Sequence, residues 1–312
     1  MQIISEAEAK RLLKPDRVIA ALEDAFRNHF HSAIAPTRVQ QEFGEGSVLL
    51  LMPCYDPLYQ EGGVKIVSVA GSASSGDDRV HATYLLMSAS GAPELLIEAR
   101  YLTEIRTAAA SALATKYLAR KDAATLGIFG TGRQARAHLE VFARTFDFKV
   151  ILVCGSSTQR STDFARQMRT ELGLHAEAVD AHNCAASSDV ICTCTTARTP
   201  LFSGELLRPG THLNLVGAFQ PDAREVDELT VQRARVVVDT YDGALAEAGD
   251  LIIPMQNGII TRDHIAGDLH ELVSGKKPGR QSKDEITLFK SLGCALEDLA
   301  TAVLIKRNLA AE

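Results

Sequence analysis

The sequence lacks the features of membrane, exported and nucleic-acid-binding proteins. No stretch of its 312 residues approaches the roughly 20 consecutive apolar residues that a membrane-spanning helix needs. The N-terminus mixes acidic and apolar residues and lacks the basic start and apolar run of an export signal. Basic residues are not in excess, because 33 Lys and Arg stand against 39 Asp and Glu and give a net charge of −6. We therefore expect neither a membrane nor a nucleic acid as a partner.

Cysteine pairs and metal-binding spacings are also missing. Among the six cysteines only Cys192 and Cys194 lie close together, and a single residue between them on a strand suits neither a disulfide nor a zinc site. The nine histidines show no metal-ligand spacing on one identifiable face. We predict no metal and a reducing, cytoplasmic location.

The composition, 46% hydrophobic and 23% charged, is typical of a globular protein, and the length allows two domains of about 150 residues. An amphipathic helix is predicted over 15–31. Short apolar runs then predict a small sheet, at 47–52, 64–69, 83–87 and 95–98. The loops at 44–46 and 72–78 are expected to be ordinary connections. An alanine-rich helix should follow from Thr103, the expected N-cap, to about residue 119.

Strands and helices alternate after residue 120. Strands are predicted at 125–129, 149–154, 189–194, 211–216 and 235–238, and helices at 133–145 and 158–172. The strand runs are continuous and β-branched, which is typical of a parallel sheet covered on both faces. The sequence therefore predicts an α/β fold with a doubly wound parallel sheet and a smaller α+β domain. A last amphipathic helix is predicted over 282–311, and we expect it to pack on the first domain.

A glycine-rich turn joins the strand at 125–129 to the next helix. It reads G-x-G-x-x-A and comprises Gly130, Thr131, Gly132, Arg133, Gln134 and Ala135. The first glycine permits a tight turn, the second lets the backbone approach a pyrophosphate, and the helix N-terminus offers free N–H groups. This context predicts a dinucleotide-binding site.

The end of the second parallel strand bears on the choice of cofactor. Sites for NAD usually place an acidic residue about 20 residues after the glycine motif, where it binds the ribose hydroxyls. Here that segment holds no acid, whereas Ser156, Ser157 and Arg160 can hydrogen-bond a 2′-phosphate. The sequence favours NADPH over NADH. The alternative is that Arg160 is simply a solvated helix residue with no role in cofactor binding.

Several motifs, in this order along the chain, resemble the ornithine cyclodeaminase/mu-crystallin family. They are PTR at 36–38, MP at 52–53, GVKIV at 63–67, LTEIRTAAASALAT at 102–115, the glycine-rich turn, GAFQPDAREVD at 217–227 and TLFKSLG at 287–293. The resemblance covers essentially the whole chain and is closest to the cyclic ketimine reductases of that family. It implies a homodimer, a nicotinamide cofactor, a substrate-binding and dimerisation domain at 1–119 and 300–312, and a Rossmann dinucleotide-binding domain at 120–299.

The resemblance implies that Arg38, Lys65 and Arg106 bind the substrate carboxylate. The residue types agree with this role. Arg106 is expected in the first turn of its helix, where free N–H groups favour an anion, and a guanidinium can bind a carboxylate through two hydrogen bonds. Lys65 lies inside an apolar run, where a lysine needs an anion to offset the cost of burial. Without the resemblance, each of the three is more simply read as a surface charge.

Phe219 marks a departure from the cyclodeaminases of this family. Those enzymes, and the alanine dehydrogenases that resemble them, carry an aspartate at this position that serves the substrate amino group as an acid or base. Phenylalanine cannot move a proton. It can pack against a ring that is already closed, as in Δ1-pyrroline-2-carboxylate or Δ1-piperideine-2-carboxylate. We therefore expect NAD(P)H-dependent reduction of such an imino acid to L-proline or L-pipecolate.

The expected mechanism places the nicotinamide near Thr195, Gly217 and Ser291, at the carboxyl edge of the parallel sheet. The proton for the imine nitrogen has three candidate sources: Lys65, His81 and a bound water. Asp222 is expected to orient or shield charge, although a Pro-Asp pair in a loop also commonly forms a turn or helix cap.

Three alternative functions stay open. A cyclodeaminase would release ammonia from a linear diamino acid and recycle its NAD. A dehydrogenase of the alanine type would reduce an acyclic imine. A mu-crystallin-like protein would bind NADPH tightly without turning over imino acids.

Overall fold

The computed structural model describes residues 1–44, 46–70 and 80–312, which form two units. Unit 1 comprises Met1–Arg106 and Gly293–Glu312, and unit 2 comprises Thr107–Leu292. The loop predicted at 72–78, and residue 45 of the loop predicted at 44–46, lie outside the described residues. In the described ranges, no helix has both the length and the apolar character needed to span a bilayer.

Unit 1 contains a six-stranded sheet of mixed strand orientation. Its elements before the chain enters unit 2 are β1 (Gln2–Ile4), α1 (Glu6–Leu12), α2 (Pro15–Asp24), a π-helical turn (Ala25–His29), β2 (Val39–Phe43), β3 (Ser47–Asp56), β4 (Glu61–Val69), β5 (Val80–Ser88), β6 (Pro93–Glu98) and the start of α3 (Arg100–Leu118). The strand order is β1-β6-β5-β4-β3-β2, and every pair is antiparallel except β1 with β6. The helix predicted over 15–31 is thus an α-helix to Asp24 that continues as the π-helical turn to His29.

Helix α3 begins at Arg100, so the prediction of Thr103 as its N-cap is wrong. Thr103 lies inside the helix, where its hydroxyl donates a hydrogen bond to the carbonyl of Ala99 (2.8 Å). Threonine can make this bond within a helix instead of capping it. Arg106 consequently lies in the second turn, beyond the free N–H groups of the first. The prediction that these groups help Arg106 to bind an anion is therefore also wrong.

Unit 2 is built on an eight-stranded sheet in which all paired strands are parallel. Its strands are β7 (Thr125–Phe129), β8 (Val150–Cys154), β9 (Ala176–Ala178), β10 (Val190–Thr193), β11 (His212–Leu215), β12 (Ala234–Val238), β13 (Ile265–Asp268) and β14 (Ile286–Lys290). Its helices are α4 (Arg133–Thr145), α5 (Thr158–Leu172), α6 (Ala181–Ser187), α7 (Glu228–Arg233), α8 (Tyr241–Glu247), α9 (Gly249–Gln256) and α10 (Leu269–Val273).

The strand order of unit 2 is β13-β12-β14-β11-β10-β7-β8-β9. From β7 the chain builds outward through β8 and β9 on one side, and then through β10 and β11 on the other. The carboxyl ends of β7 and β10 therefore flank a topological switch point, where ligands of such sheets bind. The predicted α/β fold class is confirmed, and β7, α4 and α5 have the predicted bounds.

The first part of the helix predicted over 282–311 is wrong. Ile286–Lys290 form β14, which lies between β11 and β12, and α11 (Ala295–Ala310) begins only afterwards. All five residues of β14 are buried, as expected of a central strand covered on both faces. Ile286, Phe289 and Leu292 have the spacing of one face of a helix, so the apolar pattern predicted a helix where the strand lies.

Helix α11 returns to unit 1 and packs on one face of its sheet, which we call the inner face. Alternate residues of β3 and β5, such as Met52, Tyr84 and Leu86, are buried there. Lys65 is directly opposite Met52 on one side and Tyr84 on the other. Paired residues of neighbouring strands point to the same face, so the side chain of Lys65 points to the inner face.

Candidate active site

A group of charged side chains in unit 1, all buried except the partly buried Arg38, contains the three cations predicted to bind the substrate. We call Arg38, Lys65, Arg106, Glu297 and Asp298 the unit 1 charge cluster. Lys65 Nζ donates to Asp298 Oδ1 (2.8 Å), which also accepts from Arg106 Nε (3.0 Å). Arg106 Nη1 donates to Glu297 Oε2 (2.9 Å). Helix α11 thus supplies two carboxylates that hold a strand lysine and a helix arginine together.

In the unit 1 charge cluster the carboxylates of Glu297 and Asp298 pair with Arg106 and Lys65. Lys65 is 1% exposed, and burial lowers its pKa to about 8, with Arg106 and Arg38 lowering it further against the opposing effect of Asp298. Burial alone would lower the pKa of Arg106, but Asp298 and Glu297 raise it above its ordinary value. Arg106 therefore stays charged, whereas Lys65 can exchange a proton near neutral pH.

Gly293, the residue just before α11, makes room for the guanidinium of Arg106. Its φ is +78°, and a Cβ atom added there would lie 2.2 Å from Arg106 Nη1 and 2.7 Å from Cζ. The carbonyl of Gly293 also accepts a hydrogen bond from Arg38 Nη2 (3.4 Å). Both the backbone conformation and the close contact require glycine at this position.

His81 is not brought together with Lys65. It lies in β5 directly opposite Ser68 of β4, three residues from Lys65 along that strand. Since side chains alternate between the two faces of a sheet, His81 points to the face opposite the unit 1 charge cluster. Its side chain is exposed.

Phe219 and Asp222 lie in unit 2, in the loop that follows β11. Phe219 is 42% exposed. Asp222 forms part of a turn, is exposed, and pairs with Arg198, which also donates to the side chain of Gln220 (2.8 Å). Asp222 therefore lies in a turn, which was the alternative predicted for it, and the carboxylate of Asp222 forms a surface ion pair.

The glycine-rich turn of unit 2 has the geometry of a phosphate-binding loop. Gly130 has a φ of +114°, and a Cβ there would lie 2.5 Å from the carbonyl oxygen of Cys194. Gly132 is the N-cap of α4 and has open space where a Cβ would be, while Ala135 is buried. Thr131, Arg133 and Gln134 complete the turn into the helix. The free N–H groups of α4 thus face a space that a pyrophosphate can enter.

The residues predicted to bind the adenosine half lie directly after β8. Ser157 caps α5 by accepting a hydrogen bond from the backbone N–H of Arg160 (3.3 Å). Ser156, Ser157 and Arg160 are all exposed. They form a short polar segment at the carboxyl end of β8 that can hydrogen-bond a ribose or its phosphate.

Thr195, Gly217 and Ser291 follow the carboxyl ends of β10, β11 and β14. Thr195 and Gly217 are bound by the same carboxylate, that of Glu225, through hydrogen bonds of 2.7 to 2.9 Å. Ser291 is 2% exposed, and its hydroxyl has no hydrogen-bond partner in the described part of the chain. A buried hydroxyl without a partner fits a site for a polar group such as the carboxamide of a nicotinamide.

Sequence reasoning gave no role to several charged residues of these sites, namely Glu225, Asp250, Lys290, Glu297 and Asp298. Two signals were available. Lys290 ends the apolar run ITLFK, and Glu297 and Asp298 interrupt the apolar run of α11. A charge among apolar residues needs a partner, so all three positions carry the same signal as Lys65. Within 1–44, 46–70 and 80–312, no group of three His, Cys, Asp or Glu side chains is placed to hold a metal ion.

Comparison with known proteins adds the following matches. The sequence profile of the ornithine cyclodeaminase/mu-crystallin family matches residues 1–312. A Δ1-pyrroline-2-carboxylate reductase of Bacillus cereus is 35% identical over 308 residues, covering 97% of this chain and 94% of the relative. The structure of Thermococcus litoralis Δ1-pyrroline-2-carboxylate reductase in complex with NADH and L-proline is 38% identical, with a TM-score of 0.95 and coverage of 100% of this chain and 98% of the other. An archaeal alanine dehydrogenase dimer with bound NAD is 31% identical, with a TM-score of 0.92 and coverage of 100% and 96%.

Proposed function

This chain belongs to the ornithine cyclodeaminase/mu-crystallin family, and from that premise we propose that it reduces a cyclic imino acid to an L-amino acid with a nicotinamide cofactor. The resemblance seen in the motifs is thereby confirmed. The proposed substrates are Δ1-pyrroline-2-carboxylate and Δ1-piperideine-2-carboxylate, and the products L-proline and L-pipecolate. The observation that carries the proposal is the unit 1 charge cluster, in which two buried carboxylates hold Lys65 and Arg106 close to Arg38, so that three cationic side chains lie near one another.

The substrate carboxylate is bound by Arg38, Lys65 and Arg106. Asp298 and Glu297 already hold Lys65 and Arg106 in place, so little side-chain entropy is lost when the anion binds. Fixing the carboxylate orients the ring so that its C=N carbon is presented in one direction.

Lys65 is the proposed proton donor to the imine nitrogen. When bound, the reduced nicotinamide supplies a hydride to the imine carbon. The Lys65 ammonium gives one proton to the nitrogen, becomes a neutral amine and is recharged from solvent. Its pKa of about 8 suits this exchange, because a general acid works best near the operating pH. His81 points to the other face of its sheet, and Asp222 is engaged at the surface, so neither is proposed as the donor.

The cofactor is assigned to unit 2. The turn from Gly130 to Ala135 would hold the pyrophosphate, and Thr195, Gly217 and Ser291 would surround the nicotinamide. Ser156, Ser157 and Arg160 support a preference for NADPH over NADH, because they can bind a 2′-phosphate and no acid stands in their place.

Phe219 supports a substrate whose ring is already closed. Its side chain offers an apolar surface and cannot accept the proton that a linear diamino acid must lose before it cyclises. Cyclodeamination needs a side chain that accepts this proton, so Phe219 favours imine reduction over cyclodeamination.

The proposed homodimer rests on the face of the unit 1 sheet opposite the inner face. Four large apolar side chains on that face are at least 38% exposed, namely Ile3, Val39, Tyr55 and Ile66. An apolar sheet face of this kind is typical of a protein interface. The six cysteines are all unpaired, which supports the proposed cytoplasmic location.

The test is an absorbance assay of cofactor oxidation with pyrroline-2-carboxylate, piperideine-2-carboxylate, pyruvate with ammonia, and ornithine, each with NADH and NADPH. We expect one cofactor oxidised per molecule of cyclic imine reduced and no reaction with ornithine. Ammonia released from ornithine would instead identify a cyclodeaminase. If pyruvate with ammonia is turned over and neither cyclic imine is, the protein is an alanine-type dehydrogenase. Tight NADPH binding without any turnover would identify a binding protein.

A further inference from the structure

Glu225 is a fully buried carboxylate whose two oxygens accept four hydrogen bonds. Oε1 accepts from the backbone N–H (2.9 Å) and hydroxyl (2.7 Å) of Thr195. Oε2 accepts from the hydroxyl of Thr193 (2.6 Å) and the backbone N–H of Gly217 (2.7 Å). Since all four hydrogen-bond partners are donors, the hydrogen bonds favour the ionised carboxylate, although burial and the charge of Asp250 raise the pKa of Glu225.

These hydrogen bonds join the carboxyl ends of two neighbouring strands. Thr193 ends β10, and Gly217 follows β11. A Cβ added to Gly217 would lie 2.1 Å from the carbonyl oxygen of Thr195 and 2.4 Å from Glu225 Oε1, so the three groups are in close contact. On the other side, Cys194, the residue before Thr195, contacts Gly130 of the phosphate-binding turn. Glu225 therefore fixes the segments that extend from the phosphate-binding turn across β10 and β11.

Glu225 belongs to a buried group with excess negative charge. We call Glu225, Asp250 and Lys290 the unit 2 charge cluster, and all three are fully buried. Asp250 accepts hydrogen bonds from the backbone N–H groups of residues 225 (2.7 Å) and 226 (3.2 Å), and its other oxygen pairs with Lys290 Nζ (2.9 Å). Lys290 also donates to the carbonyl of Ala218 (2.6 Å). The three side chains thus carry two negative charges and one positive charge, and Lys290 pairs directly with Asp250 and attracts Glu225 from a greater distance.

We propose that Glu225 is a positioning residue for the nicotinamide half of the cofactor site, and that its buried charge favours the oxidised cofactor over the reduced one. Hydride loss leaves a positive charge on the nicotinamide ring. A fixed negative charge behind Thr195 and Gly217 attracts that charge in a low-dielectric environment and acts only weakly on the neutral, reduced ring. This inference rests on the proposed function, specifically on the assignment of Thr195 and Gly217 to the cofactor site.

The test is the ratio of the dissociation constants of the oxidised and reduced cofactor. The Kd of the reduced form is measured by its fluorescence, and that of the oxidised form by competition against it. Glu225→Gln removes the charge and keeps the side-chain size. We expect it to weaken binding of the oxidised form about tenfold more than that of the reduced form. A ratio equal to that of the wild type would overturn the charge proposal, whatever the change in activity.

Glu228→Gln is the matched control. Glu228 lies three residues away in α7, is partly exposed, and binds Arg224 and Asn257 instead of the strand ends. Its removal should leave the ratio unchanged. If Glu225→Gln does not fold, Thr193→Val is measured instead, because it removes one of the four donors. We expect that variant to raise the KM of the cofactor about threefold and leave the KM of the imine unchanged; an unchanged cofactor KM would overturn the positioning role.

The binding ratio separates this inference from the proposed function. It needs no imine turnover, so it can be measured even if the protein reduces none of the imino acids tried. A wild-type protein that binds neither form of either cofactor overturns both. A wild-type protein that reduces imines, with a variant of unchanged ratio, overturns only the assignment of Glu225.

Discussion

The two charge clusters differ in their balance of charge. In unit 1 two carboxylates pair with Lys65 and Arg106, and Arg38 lies close to Lys65. In unit 2 two buried carboxylates, those of Glu225 and Asp250, lie near the single ammonium of Lys290. The cations of unit 1 suit the proposed substrate carboxylate, and the carboxylates of unit 2 suit the positive ring of the proposed oxidised cofactor. The two clusters are thus proposed to act on ligands of opposite charge.

The clusters also differ in how their charged groups are held. In unit 1 carboxylates of α11 hold Lys65 and Arg106 directly. In unit 2 the carboxylate of Glu225 is covered by N–H and hydroxyl groups of the strand ends. The first arrangement suits direct binding of an anion, and the second suits an electrostatic effect exerted through the backbone.

The largest expected effect follows from Arg106→Ala, which removes one cation and leaves two buried carboxylates short of a partner. We expect unfolding free energy to fall by about 3–5 kcal/mol, because an uncompensated buried charge is strongly destabilising. The kcat/KM for the imine should fall about 1000-fold through a higher KM and a lower kcat. Denaturant unfolding and steady-state kinetics measure both.

The surface variant Arg17→Ala is the control for this change. Arg17 is highly exposed and lies 3.9 Å from the carboxylate of its neighbour Asp16, so its removal should alter neither stability nor kinetics. If the folded Arg106→Ala protein keeps near-normal kinetics, Arg106 does not belong to the substrate site. If it loses affinity for the cofactor as much as for the imine, the separation of the two units by ligand is wrong.

Gly293→Ala should have the next largest effect, since it displaces the guanidinium of Arg106 without removing its charge. The new methyl group would meet Arg106 Nη1 at 2.2 Å. We expect the KM of the imine to rise about 10- to 100-fold, with the Kd of the cofactor unchanged. Gly91→Ala is the matched control, because Gly91 has the same φ of +78° and no atom within 4 Å of the added Cβ. Equal kinetic effects of the two variants would show that backbone strain alone is responsible.

How far the sequence predicts this structure differs between the two units. In unit 2 the first strand, the glycine-rich turn and two helices follow from local patterns, because a continuous apolar run and a capped amphipathic helix are signals within a few residues. The sequence pattern could not distinguish β14 from the last helix, since its apolar residues fit the period of a helix as well as that of a buried strand. Its central position between β11 and β12 depends on pairing with residues more than 40 positions away.

The unit 1 charge cluster was predictable only in part. Its three cations were predicted from their residue types and from the family resemblance. Asp298 is 233 positions from Lys65 and 192 from Arg106, and no local pattern connects them. The face of His81 was likewise not predictable, because it depends on which residue of β4 lies opposite, and a shift of one residue would reverse it.

The pH dependence of catalysis tests the proton donor, with a smaller expected effect. Lys65 must be protonated both to bind the anion and to supply the proton, and its pKa is about 8 in the free protein. The kcat/KM for the imine should therefore be constant below pH 8 and fall about tenfold per pH unit above it. A bound carboxylate favours the charged lysine, so the corresponding fall in kcat should begin at higher pH. Lys65→Arg keeps the positive charge but cannot donate a proton, so its kcat should fall at every pH, and its residual activity should lack this decline. Residual activity with the same decline would show that Lys65 is not the titrating group.

The smallest expected effect concerns the cofactor alone. Arg160→Ala should raise the KM of NADPH about fivefold and leave the KM of NADH unchanged, because an exposed arginine at a 2′-phosphate contributes a solvent-screened charge. Arg166, also in α5 and exposed beside Asp163, provides the control variant Arg166→Ala. Neither change should alter the KM of the imine, since both residues belong to unit 2. Equal loss of NADH and NADPH affinity would instead mean that Arg160 contacts a part common to both cofactors, and the preference for NADPH would then have to rest on Ser156 and Ser157.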